Sequence, residues 1–370
     1  MSDIDYIRKQ IKELEEEIKK TQKNKATEFH IGTLKRKISR LKEEMLEKSG
    51  KKEGKGYVVK KQGDATAVLV GFPSVGKSTL MNALTNAESK VGAYDFTTLE
   101  AIPGMMEYKD AKIQLIDLPG IINEASLGRG KGRQVLGVVH SADLIIIVLD
   151  CKGINKLPLI LKELYDFNLR LGRSSPRIAI KKKDRGGINI ESVPLTKLSK
   201  KEILKLLHEH KIHNADVLIY EDVSLEELND VLEGNRHYVP YLVVITKSDL
   251  TNEEEKNEIK EFLKDLNKET KAVFISAKTG KNIEKFKQAI FDKLGLIRVY
   301  TKPVGKKVKK TEPIILRKNA TIKDVCLKIH KDFVKKFKQA KVWGKSVKFE
   351  GQRVGINHKL FDEDIVEILI

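Results

Sequence analysis

A chain of 370 residues with a formal net charge of +19 is too long for a single hydrophobic core and strongly basic for a protein whose partners are neutral. Its 40% hydrophobic content is ordinary for a soluble protein, residues 1–20 show neither an apolar h-region nor a small-residue cleavage site, and the longest aliphatic run, Leu144–Leu149, is far short of a membrane span. Cys151 and Cys326 are the only two cysteines and lie far apart, which argues against a disulfide framework or a zinc cluster and leaves a cytoplasmic protein without a membrane partner as the expectation.

The charge is uneven. Residues 1–62 carry +7 and residues 296–370 carry +11, which leaves +1 on the 233 residues between. Two basic ends around a near-neutral middle point to a polyanionic partner, RNA first.

In chain order, Ile4, Ile7, Ile11, Leu14 and Ile18, then Ile31, Leu34, Ile38, Leu41 and Met45, recur at a/d spacing. That pattern predicts two amphipathic helices folded back as a hairpin within 1–62, closed by a Gly/Lys-rich linker over 49–63. An apolar run, Ala67–Val70, then leads into GFPSVGKST, in which Gly71, Gly76, Lys77 and Ser78 fit G-x-x-x-x-G-K-[ST]. This is a phosphate loop between a buried strand and a helix: backbone N–H groups from Gly71, Phe72, Pro73, Ser74, Val75, Gly76, Lys77, Ser78 and Thr79 surround the phosphates, less the imide nitrogen of Pro73. Lys77 would reach the β/γ oxygens and Ser78 would hold Mg²⁺.

The loop at 94–104 carries Thr97 and Thr98; Thr98 is the candidate to bind Mg²⁺ when GTP orders the loop, with Thr97 its competitor. A strand over 112–116 ends in Asp117-Leu118-Pro119-Gly120, where Asp117 would hold Mg²⁺ through water and the Gly120 N–H would reach the γ-phosphate. Residues 121–134 form the second candidate switch. Ile121 occupies the place where Ras-type enzymes carry a water-orienting glutamine, so intrinsic hydrolysis is expected to be slow.

Residues 173–237 break the α/β alternation and read as a small inserted α+β domain, with a β-hairpin expected across KKDRGG and a basic tip at Lys181–Arg185. The buried strand over 241–245 then ends in Thr246-Lys247-Ser248-Asp249, and a later strand leads to Ser276-Ala277-Lys278. Asp249 would accept from guanine N1–H and its amino group, Lys247 would lie along the base and ribose, and the Ala277 N–H would donate to O6. Adenine presents the opposite pattern, so GTP and GDP are the expected ligands and an ATP-dependent phosphotransferase is disfavoured. Thr246 stands where asparagine is usual and can tie the loop to the phosphate loop by a single hydroxyl. From Ile297 onward a strand, a helix and returning strands, SVKFEG and DIVEILI among them, follow a β-grasp order. Trp343 reads as core or as a base-stacking ring. His140, His208, His210 and His213 have no metal-ligand spacing and read as surface or locally hydrogen-bonded residues.

GFPSVGKSTLMNAL, AYDFTTLEAIPG, AKIQLIDLPGII, GRGKGRQ, KKKDRGGINI, KIHNADV, EGNRHYVP and VWGKSVKFEGQRVG together resemble the developmentally regulated GTP-binding protein family of the Obg group. Its lysine- and isoleucine-rich composition suits an archaeal member. The resemblance implies an α/β P-loop GTPase, a mostly parallel sheet with flanking helices, at 63–172 and 238–295. It also implies a helix-turn-helix region at 1–62, a ribosomal S5 domain-2-like insertion at 173–237 and a TGS β-grasp domain at 296–370. It further implies a GTPase acting on ribosomes in translation, with Ile121 placing it among hydrophobic-substituted GTPases. Several relatives use K⁺ through a phosphate-loop asparagine, where this chain has Ser74. Eukaryotic members bind a zinc-finger regulatory partner, and no residue here identifies one. The competing reading is a nucleotide-gated RNA-binding or ribosome-assembly factor in which turnover is incidental.

Overall fold

A computed structural model describes residues 3–22, 27, 30–34, 37–38, 41, 62–85, 102–118, 137–266, 270, 272–303 and 312–370. Thr97, Thr98, Pro119, Gly120 and Ile121, and the basic loops 127–134 and 305–310, lie outside the described residues. Contacts divide the chain into two units, one of residues 1–57, 123–140 and 158–239, the other of residues 58–122, 141–157 and 240–370.

The second unit holds a six-stranded sheet. Numbered in chain order, its first strands are Ala65–Val70 (β1), Ile102–Tyr108 (β2), Ala111–Asp117 (β3) and Leu144–Asp150 (β4), and Tyr241–Thr246 (β10) and Ala272–Phe274 (β11) complete it. The order is β11-β10-β4-β1-β3-β2, parallel throughout except for the β2 edge, which returns against β3. Strands covered on both faces have no polar side to offer, which is why β1 and residues 144–149 of β4 are buried continuous aliphatic runs. Lys109 and Asp110 turn β2 into β3 with φ of 50° and 64°, the double positive φ of a tight hairpin. Leu80, Met81 and Leu84 of the helix Lys77–Leu84 and Phe286, Ile290 and Phe291 of the helix Ile283–Leu294 bury against this sheet.

The same core continues into the C-terminal segment through Leu294, Leu296 and Ile315. There Leu296–Thr301 (β12), Ile314–Arg317 (β13), Gln339–Trp343 (β14), Gln352–Val354 (β15) and Ile365–Leu369 (β16) assemble as β13-β12-β16-β14-β15, with β12 and β16 parallel at the centre. The helix Ile322–Ile329 packs Ile322, Val325 and Cys326 on Val299, Ala340, Val342 and Val366, giving the β-grasp arrangement. The strand expected at SVKFEG is a turn instead: Gly344 and Gly351, with φ of 133° and 77°, bracket it, and pairing resumes only at Gln352. Trp343 is half-buried between the Lys302 ammonium, 4.4 Å from its ring centre, and the backbone of Gly351. Two carboxylates staple this segment to the strand starts of the nucleotide sheet. Asp143 accepts from the Thr66 N–H at 2.9 Å and pairs with Arg317 at 2.8 Å, while Asp64 accepts from the Lys112 N–H at 2.9 Å and pairs with Lys328 at 3.6 Å.

In the first unit, Ile7, Ile11 and Ile38 form one cluster with Leu14, Ile18 and Leu41, as the two apolar stripes require. Leu169–Leu171 (β5) pairs in parallel with His237–Val239 (β9), and Ile178–Lys182 (β6), Ile188–Ser192 (β7) and Ala215–Ile219 (β8) form a second sheet. The hairpin expected across KKDRGG is corrected here: β8 lies between β6 and β7, antiparallel to one and parallel to the other. The connection arches over the end of β8, where the Lys183 N–H donates to Asn214 O and the Ala215 N–H to Gly187 O. The helices Lys200–Glu209 and Leu225–Glu233 each start on a capping box, Ser199 with Glu202 and Ser224 with Glu227, and cover one face of this sheet. Arg170, 3% exposed, meets Asp230 in a bidentate pair at 2.6 and 2.7 Å; Arg236 adds a third bond to Asp230 at 3.1 Å. Burial and the neighbouring Asp230 push the Tyr238 phenol up to about 12. Among the described residues no helix is long and apolar enough to cross a membrane.

Candidate nucleotide site

Every described residue of the predicted site lies at the carboxyl ends of β1, β3, β10 and β11 or on the turns that follow them. This is where an open α/β sheet binds its ligand. The turn from β1 to the helix Lys77–Leu84 is possible only with glycine at two points. A Cβ on Gly71 would sit 2.3 Å from the Val148 carbonyl oxygen, and Gly76 is the helix N-cap with φ of 91°. Ser74 adopts φ of 64° and, with Pro73 and Thr79, faces solvent; Val75 instead is buried, so it contributes backbone alone. Lys77 folds back over the loop, its ammonium donating to Gly71 O at 3.0 Å and Phe72 O at 2.9 Å.

Asp117 ends β3 in register with Leu69 of β1. Burial raises its carboxyl pKa and Lys77 pulls it partly back; burial likewise lowers the Lys77 ammonium and Asp117 offsets that. Asp117 Oδ1 is buried with no hydrogen-bond partner among the described residues, although a carboxylate in that position ordinarily has one. The Leu118 side chain is fully buried and its N–H goes to Leu69 O, so this residue shapes the turn rather than facing a ligand.

The guanine-reading loops are tied to the phosphate loop. The Thr246 hydroxyl lies 2.6 Å from Val75 O and 3.1 Å from Leu149 O. It has one proton for two carbonyls, whereas an asparagine amide would serve both. Lys247, at φ of 55°, donates to Ser74 O at 2.9 Å and pairs with Asp150 at 3.4 Å. The Ser248 N–H donates to Ile275 O, which joins the two loops, and its own hydroxyl is buried without a partner among the described residues. Asp249 is exposed and takes a hydrogen bond from the Ser276 hydroxyl, which with its own backbone N–H holds its carboxyl below the usual range. Ala277 is half-buried and Lys278 exposed beside it.

Three neighbours escaped the sequence reading. Asp150 pairs with Lys247, Lys156 lies 4.8 Å over the Phe72 ring, and the Cys151 thiol meets the Thr251 hydroxyl at 2.6 Å behind the Thr246 turn. Asp150 was legible by the logic that selected Asp117, as a carboxylate closing a buried aliphatic strand. The other two have no local signal. Replacing Thr246 by valine, which keeps the shape and deletes the donor, leaves the two carbonyls unserved at a cost of about 1–3 kcal/mol. The expected result is GDP release accelerated about tenfold, read by displacement of a fluorescent GDP analogue. An unchanged off-rate would show that the tie does not govern the loop.

The comparisons agree on what this arrangement is. Residues 66–183 match the model of the 50S ribosome-binding GTPase, residues 185–296 that of the C-terminal region of the same domain, and residues 297–370 that of the TGS domain. An uncharacterised GTP-binding protein of Methanocaldococcus jannaschii is 53% identical over 371 residues, covering 100% of this chain and 94% of its own. Developmentally-regulated GTP-binding protein 2 of Homo sapiens is 44% identical over 367 residues, covering 98% of this chain and 99% of its own. The solved YchF GTPase of Schizosaccharomyces pombe covers 85% of this chain and 100% of its own at 16% identity, with a TM-score of 0.48. With that likeness running end to end over a phosphate loop, a guanine-reading pair of loops and a TGS domain, the chain belongs to the developmentally regulated GTP-binding protein family.

Proposed function

We propose that the chain hydrolyses GTP to GDP and phosphate and uses the two nucleotide states to switch its contact with the ribosome or its RNA. The observation that carries this reading is the junction of Asp249 and Ser276 to the phosphate loop through Thr246 and Lys247. It couples the base-reading end of the site to the phosphate-reading end. The basic ends supply the attraction to a polyanion, and the relatives' domain model, described as a ribosome-binding GTPase, supports the choice of ribosome.

The residues present fit Mg²⁺. The unpartnered Asp117 Oδ1 is an acceptor awaiting a water or ion, and Ser78 opens the helix beside it with an exposed hydroxyl. Ser78 would hold the ion directly, Asp117 through water and Thr98 from the first switch; bound there, Mg²⁺ would offset charge on the β- and γ-phosphate oxygens. Lys77 leaves its two carbonyls for the phosphates, and the N–H groups that start its helix face the same charge. With Ile121 in the glutamine's place, no side chain at that position orients the attacking water, and turnover by the free chain is slow.

Co-sedimentation of the full chain with ribosomes, across a salt series and with a non-hydrolysable GTP analogue against GDP, tests the switch. A chain cut at Gly295 is unsuitable because it strips Leu296 and Ile315 out of the nucleotide-domain core. Analogue-selective pelleting that survives moderate salt, with a burst of hydrolysis on ribosome addition, is the expected result. Analogue-selective pelleting without the burst would point to occupancy signalling alone. Nucleotide-blind pelleting that salt abolishes would leave only nonspecific basic attraction.

A further inference from the structure

The turn between β14 and β15 is unusually well anchored for what it carries. Gly344 lies so close to Asp364 that a Cβ would meet its Oδ1 at 2.3 Å. Asp364, 0% exposed, accepts from the Phe361 N–H at 2.8 Å and the Ser346 N–H at 3.4 Å. The Lys348 N–H donates to Gln352 Oε1 at 2.9 Å, the Gly351 N–H to Val342 O at 2.9 Å, and Ser346 meets His358 at 3.1 Å. Behind them the Trp343 indole is clamped between Gly351 and the Lys302 ammonium.

At the tip of this fixed turn stands Phe349, 65% exposed, the most exposed aromatic side chain among the described residues. Lys345, Lys348 and Arg353 on the same segment are all exposed, against one acid, Glu350. Cations alone need no ring to hold phosphates, and a ring alone needs no cations to meet an apolar partner. The combination matches a base flanked by its two phosphates. In an A-form duplex the base faces are stacked away, so the ring can reach only an unpaired base.

We propose that the β14–β15 turn is a contact for single-stranded RNA, with Phe349 stacked on one unpaired base and Lys345, Lys348 and Arg353 neutralising the neighbouring phosphates. The inference rests on reading the chain as an RNA-contacting GTPase and names the element and the RNA form. The two parts of the contact have separate signatures. Stacking is insensitive to salt, so removing the ring weakens binding while leaving the salt slope unchanged; removing a phosphate-neutralising lysine lowers the slope by about 0.7.

The test measures fluorescence anisotropy of a labelled 12-nucleotide single strand and of the matching duplex with the full chain, across a salt series. Phe349→Ala, Phe349→Trp and Lys348→Ala are compared with the unaltered chain, and melting temperatures confirm that each variant is folded. Expected are an affinity loss of about tenfold for the single strand in Phe349→Ala at unchanged slope, no change on the duplex, recovery in Phe349→Trp, and a shallower slope in Lys348→Ala. Phe349→Ala binding the single strand like the unaltered chain would overturn the proposal and leave the ring to a protein partner; equal losses on strand and duplex would overturn it too. In those cases nucleotide-selective ribosome pelleting by the unaltered chain keeps the switch reading standing. If the unaltered chain holds neither RNA nor ribosomes in any nucleotide state, the broader reading fails as well.

Discussion

Lys77→Ala should abolish GTP binding at micromolar nucleotide, with loss of turnover following from it. The ammonium holds Gly71 O and Phe72 O at 3.0 and 2.9 Å and is the charge set against buried Asp117. Deleting it removes the phosphate contact, frees two loop carbonyls and leaves a buried carboxylate without its cation. Breaking such a pair costs on the order of 3 kcal/mol, about a hundredfold in affinity, before the phosphate contact is counted. The losses compound. Without Lys77 to oppose burial, the Asp117 carboxyl pKa climbs further, and a protonated Asp117 is a poor partner for a magnesium-bound water. Titration calorimetry with a non-hydrolysable GTP analogue and Mg²⁺ reads the effect, and binding within threefold of the unaltered chain would remove Lys77 from the phosphate site.

Asp249→Asn should weaken GTP by ten- to a hundredfold, about 1–3 kcal/mol, while admitting xanthosine triphosphate. Guanine offers two donors, N1–H and its amino group, to a group that must only accept. Asparagine replaces one acceptor by a donor, which suits the C2 carbonyl of xanthine. The hydrogen bond from Ser276, together with the Asp249 N–H, favours the charged carboxylate, so its pKa lies below the ordinary carboxylate value. The sign follows: as pH falls through the ordinary carboxylate range this group keeps its charge, and protonation sets in only lower. Guanine selectivity that depends on Asp249 should therefore be flat from pH 8 to about 5. Competition between the two triphosphates measures both effects, and GTP affinity in Asp249→Asn equal to the unaltered chain would reassign the base contact.

What the sequence showed and what it hid divide along sequence separation. The phosphate loop, the carboxylate ending β3 and the helices starting at Ser199 and Ser224 are written in consecutive residues, because strand burial, glycine conformation and capping are local demands. Thr246 was legible as a tie because its one hydroxyl had one nearby task. The inserted sheet misled because β6 and β7 are neighbours in sequence with a Gly-Gly connection, and nothing local says that β8, further along, fills the space between them. The Arg170–Asp230–Arg236 cluster was likewise out of reach: its members are scattered over 67 positions, and each reads singly as a surface charge. The SVKFEG segment alternates like a strand, yet the glycines at either side and the buried Asp364 beneath it bend it into a turn.

The staples at Asp64 and Asp143 and the side chains of Leu296 and Ile315 make one cooperative body of two regions that family models separate at residue 296. Nucleotide gripped at one end of β1 and β3 is thus thermodynamically linked to a β-grasp fastened at the other. Binding free energy that raises the cost of opening the sheet raises the cost of opening Val299 and Val342 as well, since those strands cannot come apart while their anchor holds. The C-terminal region carries no ligand of its own in this linkage, yet its amides should exchange with solvent at a rate set by the nucleotide.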